Sequence, residues 1–221
     1  MLYNIYELDC GHMKALMDNG FDKLSEKQQA KAYRKMLLQQ RQDYLDEIEQ
    51  HAQSGEWDKV CSIIRLRPFI MEEGFELYYD RIPDGMKYEF VTGLFTHNGD
   101  HCANIRKALT EVQKYGSPVL PDWMTGKDVI TVYRGCGGSI KRVSEGISWS
   151  TNRKVAEFFA NRCIVKRGVK GHVYEAKLRI DDIIAYTDNR EEQEVMQYRK
   201  VFDIREMPFE PGNIITMAAT R

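Results

Sequence analysis

Apolar positions recur with helical spacing through the first half of the chain and give way to strand-like runs after about residue 125. Between Ser25 and Ser54-Gly55, the residues Ala32, Met36, Leu37, Tyr44 and Ile48 stand mostly four or seven apart, which places them on one face of a helix. Ser25 suits the N-cap and Glu26 the first turn. Shorter helices are predicted at 56–66, 70–80, 85–96 and 101–115, with breaks at Gly74, Pro83-Asp84-Gly85 and Asn98-Gly99-Asp100. Beyond Tyr115-Gly116-Ser117-Pro118 and Pro121, runs rich in Val, Ile and Tyr predict strands at 130–134, 163–166, 172–178, 183–187, 194–197 and near 201–204. One helix interrupts them at 153–162, capped from Ser150, Thr151 or Asn152, with Val155, Phe158 and Phe159 turned inward. Helices first and strands afterwards predict an α+β fold. A helical region, 1–125, would dock on a split, mostly antiparallel β-sandwich, 126–221.

Composition narrows this picture only a little. With 43% hydrophobic and 29% charged residues, the 221-residue chain is an ordinary folded protein, long enough for one domain with a helical appendage. The net charge of −1 gives no global attraction to nucleic acid. Region 1–125 holds 15 Lys and Arg against 20 Asp and Glu, whereas 126–221 holds 17 against 13, so an anionic ligand suits the second region better. Five scattered cysteines predict a reduced, intracellular chain without a disulfide framework. The first twenty residues lack a basic start followed by an apolar run, and no stretch has the length of a membrane span, so a cytoplasmic location and no membrane partner are expected. His97-Asn98-Gly99-Asp100-His101-Cys102 has no second Cys/His pair at zinc spacing, and no metal site is predicted.

Three segments of the second region carry chemistry. In Val132-Tyr133-Arg134-Gly135, a strand-borne guanidinium offers a planar fork of donors for phosphate or ribose oxygens. In Ser148-Trp149-Ser150-Thr151-Asn152, the Ser150 hydroxyl can hold a nearby carboxylate in one rotamer. The same segment serves equally as a helix cap, for which Asn152 is the best candidate. In Glu191-Glu192-Gln193-Glu194-Val195, strand alternation would turn Glu192 and Glu194 to one side. Each segment alone reads as surface decoration. Their order and spacing are what carry the reading.

Together they resemble the arginine–serine–glutamate branch of the mono-ADP-ribosyltransferase family, over roughly 90 residues that include the flanking text GISWSTNRKVAEFFA and GHVYEAKLRIDDIIAYTDNREEQEV. Asn152 departs from the family's Ser-Thr-Ser pattern. The resemblance implies NAD as co-substrate, with Arg134, Gly135, Ser150, Thr151, Phe159 and Glu194 against it and Arg134, Ser150, Glu192 and Glu194 carrying catalysis. Phe158 or Phe159 would wall the nicotinamide, and the residue after Arg134 would bring its backbone to the nicotinamide amide. Breaking the nicotinamide–ribose bond develops positive charge on the sugar, which the Glu194 carboxylate would stabilise through a ribose hydroxyl. Glu192 would orient the acceptor and take its proton. Glutamate at that position points to protein arginine as acceptor, with RNA or DNA bases as the alternative. The segment 187–191 corresponds to the family's target-recognition loop. Hydrolysis of NAD, with water as the acceptor, and a non-catalytic interaction module are the competing functions. Small members of the family act as toxins, defence proteins or phage-encoded host modifiers, so an inhibitor or antitoxin partner is also implied.

Overall fold

The structure is a computed structural model, and residues 8–95, 103–188 and 191–211 are described. The chain forms two compact units, Met1–Arg106 and Lys107–Arg221. The expected division at 125/126 therefore falls earlier. The segment 107–125 belongs with the strands because Leu120 and Met124 pack into their core and Gln113 Nε2 donates to the Ile183 carbonyl (3.2 Å).

The first unit is helical: α1 (Cys10–Asp18), α2 (Glu26–Gln53), α3 (Trp57–Leu66), α4 (Met71–Tyr78) and α5 (Asp84–Phe95). Asp9 caps α1 by accepting the His12 N–H (2.9 Å), and the Ser25 N–H at the head of α2 donates to Gln28 Oε1 (3.0 Å). Ile48, Val60, Ile64, Phe75 and Val91 are buried, as the helical periodicity requires. Gly74 does not break a helix. It lies inside α4, where a Cβ would stand 2.8 Å from Ile64 Cγ1, so its small size serves packing. No described helix is long and apolar enough to cross a membrane.

The division falls within α6 (Ala103–Glu111), and the second unit contains β1 (Val129–Cys136), α7 (Ile140–Val143), β2 (Ser148–Ser150), α8 (Arg153–Arg167), β3 (His172–Arg179), β4 (Ala185–Thr187), β5 (Glu194–Met196) and β6 (Phe202–Met207). The described strands form one antiparallel sheet in the order β4-β5-β2-β1-β3-β6. The α+β class holds, while the expected split sandwich is here a single sheet. Its halves, β4-β5-β2 and β1-β3-β6, meet at one register pair, Tyr133↔Ser150, whereas β1 and β3 pair along all of β1.

The strand expected at 163–166 is instead the last part of α8. Asn152 starts that helix by accepting the Lys154 N–H (3.0 Å), and Gly168, at φ 62°, ends it by donating to the Ile164 carbonyl (3.0 Å). Basic Lys166 and Arg167 suit its C-terminal turn. Because α8 backbone lies directly on the sheet, small residues line the seam: a Cβ on Gly135 would stand 1.7 Å from the Ala156 carbonyl oxygen, and one on Gly171 2.3 Å from that of Ala160.

The two faces of the sheet divide by the period-two rule. Ile130, Val132, Trp149, Tyr174, Ala176, Leu178 and Val195 build the core on one side. On the other, the register runs Thr187↔Glu194↔Ser150↔Tyr133↔Glu175↔Arg205, a polar row that crosses all six strands.

Candidate active site

The three segments singled out in the sequence lie on adjacent strands β1, β2 and β5. Backbone groups of Ile147 and Thr151 bond to the β5 side: Gln197 N–H donates to the Ile147 carbonyl and Thr151 N–H to that of Gln193, both at 3.0 Å. Alternation then turns the Ser148 carbonyl toward β1. Beyond Tyr133↔Ser150 the two strands no longer pair, and the Arg134 guanidinium fills that gap by donating Nη1–H to the Ser148 carbonyl. It lies across Gly146, where a Cβ would be 2.6 Å from the guanidinium carbon, so a side chain at 146 would displace Arg134. The Gly146 carbonyl is held by Trp149 Nε1 (3.0 Å) and by Gln197 Nε2 (2.5 Å), the latter from a fully buried side chain. Trp149 and Gln197 thus fix the loop that aims Ser148.

The serine that touches Glu194 is Ser148, whose hydroxyl donates to Glu194 Oε1. Ser150, expected in that role, donates its hydroxyl to the Glu192 backbone carbonyl (2.7 Å) and accepts the Asn152 N–H (2.9 Å). The reason is geometric. Ser150 stands directly opposite Glu194 in the ladder, but its hydroxyl is engaged by main chain from both sides, and the longer Glu194 side chain reaches the diagonal neighbour Ser148. Ser150 therefore shapes the turn that carries Glu192, and Asn152 is the helix cap.

Glu192 also departs from expectation. Strand β5 starts at Glu194, and both neighbours of Glu192 are left-handed, Glu191 at φ 57° and Gln193 at φ 44°. The strand alternation invoked for a shared Glu192/Glu194 face does not extend to Glu192. Its turn is instead built by Asp188, whose carbonyl accepts the Glu191 N–H (3.1 Å) and whose Oδ1 accepts the Gln193 N–H (3.2 Å). Thr151 Oγ1 ties the same turn by donating to Gln193 Oε1 (3.2 Å). Non-glycine residues held at positive φ on both sides of a candidate catalytic group store backbone strain where function would use it.

Further expectations are placed as follows. By register, Arg134 starts on the apolar face, opposite Glu194 and Ser150, and approaches them only through the β1–β2 gap. The close approach that Gly135 permits is that of α8, which occupies the space above its Cα. Phe159 is half-buried, edge-on to Phe158 (centroids 5.5 Å apart), with the Arg162 guanidinium 6.0 Å from its ring. The Cys136 thiol is pushed up by burial, which disfavours the thiolate a nucleophile needs. His97–Cys102 and Asn189-Arg190 lie outside the described residues.

The periodicity missed Tyr133 and Glu175. Glu175 is 7% exposed and receives two donors from Arg205, Nε at 3.0 Å and Nη2 at 2.5 Å. Burial, followed by the Glu175 charge and hydrogen bond, raises the Tyr133 phenol. Lys177 Nζ donates to Thr131 Oγ1 (2.7 Å) on the same face. The visible sign was a Glu-x-Lys alternation inside an otherwise apolar strand.

Comparison with family models, curated proteins and solved structures finds no match.

Proposed function

We propose that the chain transfers ADP-ribose from NAD to a macromolecular acceptor, protein arginine before RNA or DNA, with release of nicotinamide. The observation that carries this reading is that one residue, Ser148, bonds both Arg134 through its carbonyl and Glu194 through its hydroxyl. A guanidinium, hydroxyls and a carboxylate on neighbouring strands are the donor and acceptor set that a dinucleotide's phosphates and ribose require.

On this reading Arg134 meets phosphate or ribose oxygens, and Ser148 limits the rotamers of Glu194. The Glu194 carboxylate accepts a ribose hydroxyl and stabilises the positive charge that grows at the anomeric carbon. The glycosidic C–N bond breaks with its electron pair leaving on nicotinamide, a neutral base that needs no proton. The acceptor's nucleophile forms the new bond to that carbon, and Glu192 takes the proton it releases. Ser150 and Thr151 hold the turn bearing Glu192, while Phe159 completes the NAD contact and Gly135 seats α8 against the sheet. The same reading makes the protein a cytoplasmic toxin, defence or host-modifying enzyme with an inhibitor as its natural partner.

Hydrolysis of NAD is the second reading, favoured by the position of Glu192 in a turn ahead of β5. Incubation with adenine-labelled NAD and a cell extract separates the two. Label on a protease-sensitive polymer supports arginine-type transfer, and label removed by nuclease moves the acceptor to nucleic acid. Free ADP-ribose alone supports hydrolysis. Intact NAD after prolonged incubation contradicts both and leaves an interaction module.

A further inference from the structure

The helical unit holds a cleft that takes no part in this chemistry. Its volume is about 700 Å³, within the range of small-molecule sites. The middle of α2 supplies Leu37, Leu38 and Arg41, and the end of α3 with the turn after it supplies Leu66, Arg67 and Phe69. Leu38, Leu66 and Phe69 are 64%, 51% and 41% exposed, so three large apolar side chains converge on one opening. Scattered apolar side chains are normal on a surface, but a converging set rimmed by charge marks a binding site.

The charges around the cleft are unequal. Arg41 is committed to Glu73 through two hydrogen bonds, one of them Nε to Oε2 at 2.7 Å. Asp9 is committed to the His12 N–H and ring and to the Tyr44 hydroxyl, at 2.8–2.9 Å. Arg67 has no carboxylate partner among the described residues. Its guanidinium carbon sits 4.9 Å from the centroid of the Tyr44 ring, which in turn packs against Phe69 at 5.7 Å. Stacking on Tyr44 holds this cation in place at the wall of an apolar cleft without neutralising it.

We propose that the cleft binds a small apolar monocarboxylate, its tail between Leu37, Leu38, Leu66 and Phe69 and its carboxylate on Arg67. An apolar body meets the leucine and phenylalanine walls, and a single anion matches the Arg67 cation. An apolar amine of the same length would meet that cation unpaired.

The test is calorimetric titration of the full chain with decanoate below its micellar concentration, beside decyltrimethylammonium as the cation-headed control. Decanoate is expected to saturate one site and the ammonium to bind at least about tenfold more weakly. Arg67→Gln should weaken decanoate by about tenfold while leaving the circular dichroism unchanged. Leu38→Asp, at a largely exposed position that tolerates polarity, should abolish the site. Absence of saturable binding, equal affinity for both head groups, or an unaffected Arg67→Gln overturns the proposal. A dimer in gel filtration that Leu38→Asp dissociates would assign the face to a second copy of the chain and overturn it equally.

Discussion

On one face of the six-stranded sheet, Ile130, Val132, Trp149, Leu178 and Val195 interlock as core, and on the other a row from Thr187 to Arg205 carries carboxylates, hydroxyls and a guanidinium. Both faces arise from the same strands by alternation. The apolar face fixes register, since a slip of one residue would exchange the two sets of side chains. The polar face inherits that register and with it the placement of Ser148, Ser150 and Glu194. Chemistry is thus positioned from behind: Trp149 is buried on the core side while its indole N–H holds the Gly146 carbonyl that orients the loop into Ser148. Arg134 is the exception, a residue of the apolar face that reaches across where β1 and β2 part.

The contrast can be broken from either side. Trp149→Ala, at 1% exposure, should have the largest effect, about 3–5 kcal/mol of unfolding free energy in denaturant titration, because it opens a cavity and frees the Gly146 loop together. Gly135→Ala comes next at about 3 kcal/mol, since its Cβ meets α8 backbone that must lift from the sheet. A wild-type midpoint for either would contradict the packing described.

Ser148→Ala should behave in the opposite way, costing about 1 kcal/mol of stability but lowering nicotinamide release by about ten- to a hundredfold, with Ser148→Thr recovering part of it. Ser150→Ala should lower it less, because its hydroxyl holds the Glu192 main chain. Equal losses from the two variants would remove the distinction between these serines.

The smallest effect lies in the helical unit, where His12 joins Asp9 at 2.9 Å and Asp43 at 2.8 Å. Burial pushes the imidazole down, but the hydrogen bonds to Asp43 and Asp9 outweigh it and raise its pKa above 6.5. Burial likewise pushes Asp9 up, yet the His12 N–H and ring and the Tyr44 hydroxyl hold it at about 2, below its ordinary 3.8. The histidine's contribution is complete below pH 6.5 and fades as pH rises through its raised value. That of Asp9 is complete above 3.8 and is lost as pH falls through about 2. Amide exchange in α1 should therefore be slower, after correction for intrinsic rates, at pH 5 than at pH 8, by under about 1 kcal/mol. Equal protection at the two values would remove the linkage.

Much of this architecture was legible in the sequence, because long periodic segments such as α2 declare themselves and motif order survives without any knowledge of pairing. The site was legible at the level of residue types and not of bonds. Ser148 and Ser150 are indistinguishable until the register places one diagonal to Glu194 and shows the other engaged by main chain. Gly135 reads as room for a ligand until α8 is seen to occupy that room. The run at 163–166 has strand composition, but the cap at Asn152 and the stop at Gly168 carry the helix through it. The pairing of Glu192 with Glu194 presumed a strand that Gln193, at φ 44°, does not continue. For the serines and for Gly135 the deciding interaction joins residues far apart in the chain, which local periodicity does not record; for α8 and the Glu192 turn it is a local cap or turn bond that strand-like composition hides.

The most direct test of the central claim is the rate of nicotinamide release from NAD by the wild-type chain and by Glu194→Gln, with both shown to be folded. Release by the wild type is expected, with a loss of about a thousandfold or more in kcat on replacing the carboxylate by an amide of the same shape. Release by Glu194→Gln at the wild-type rate, or none by the wild type, would contradict it.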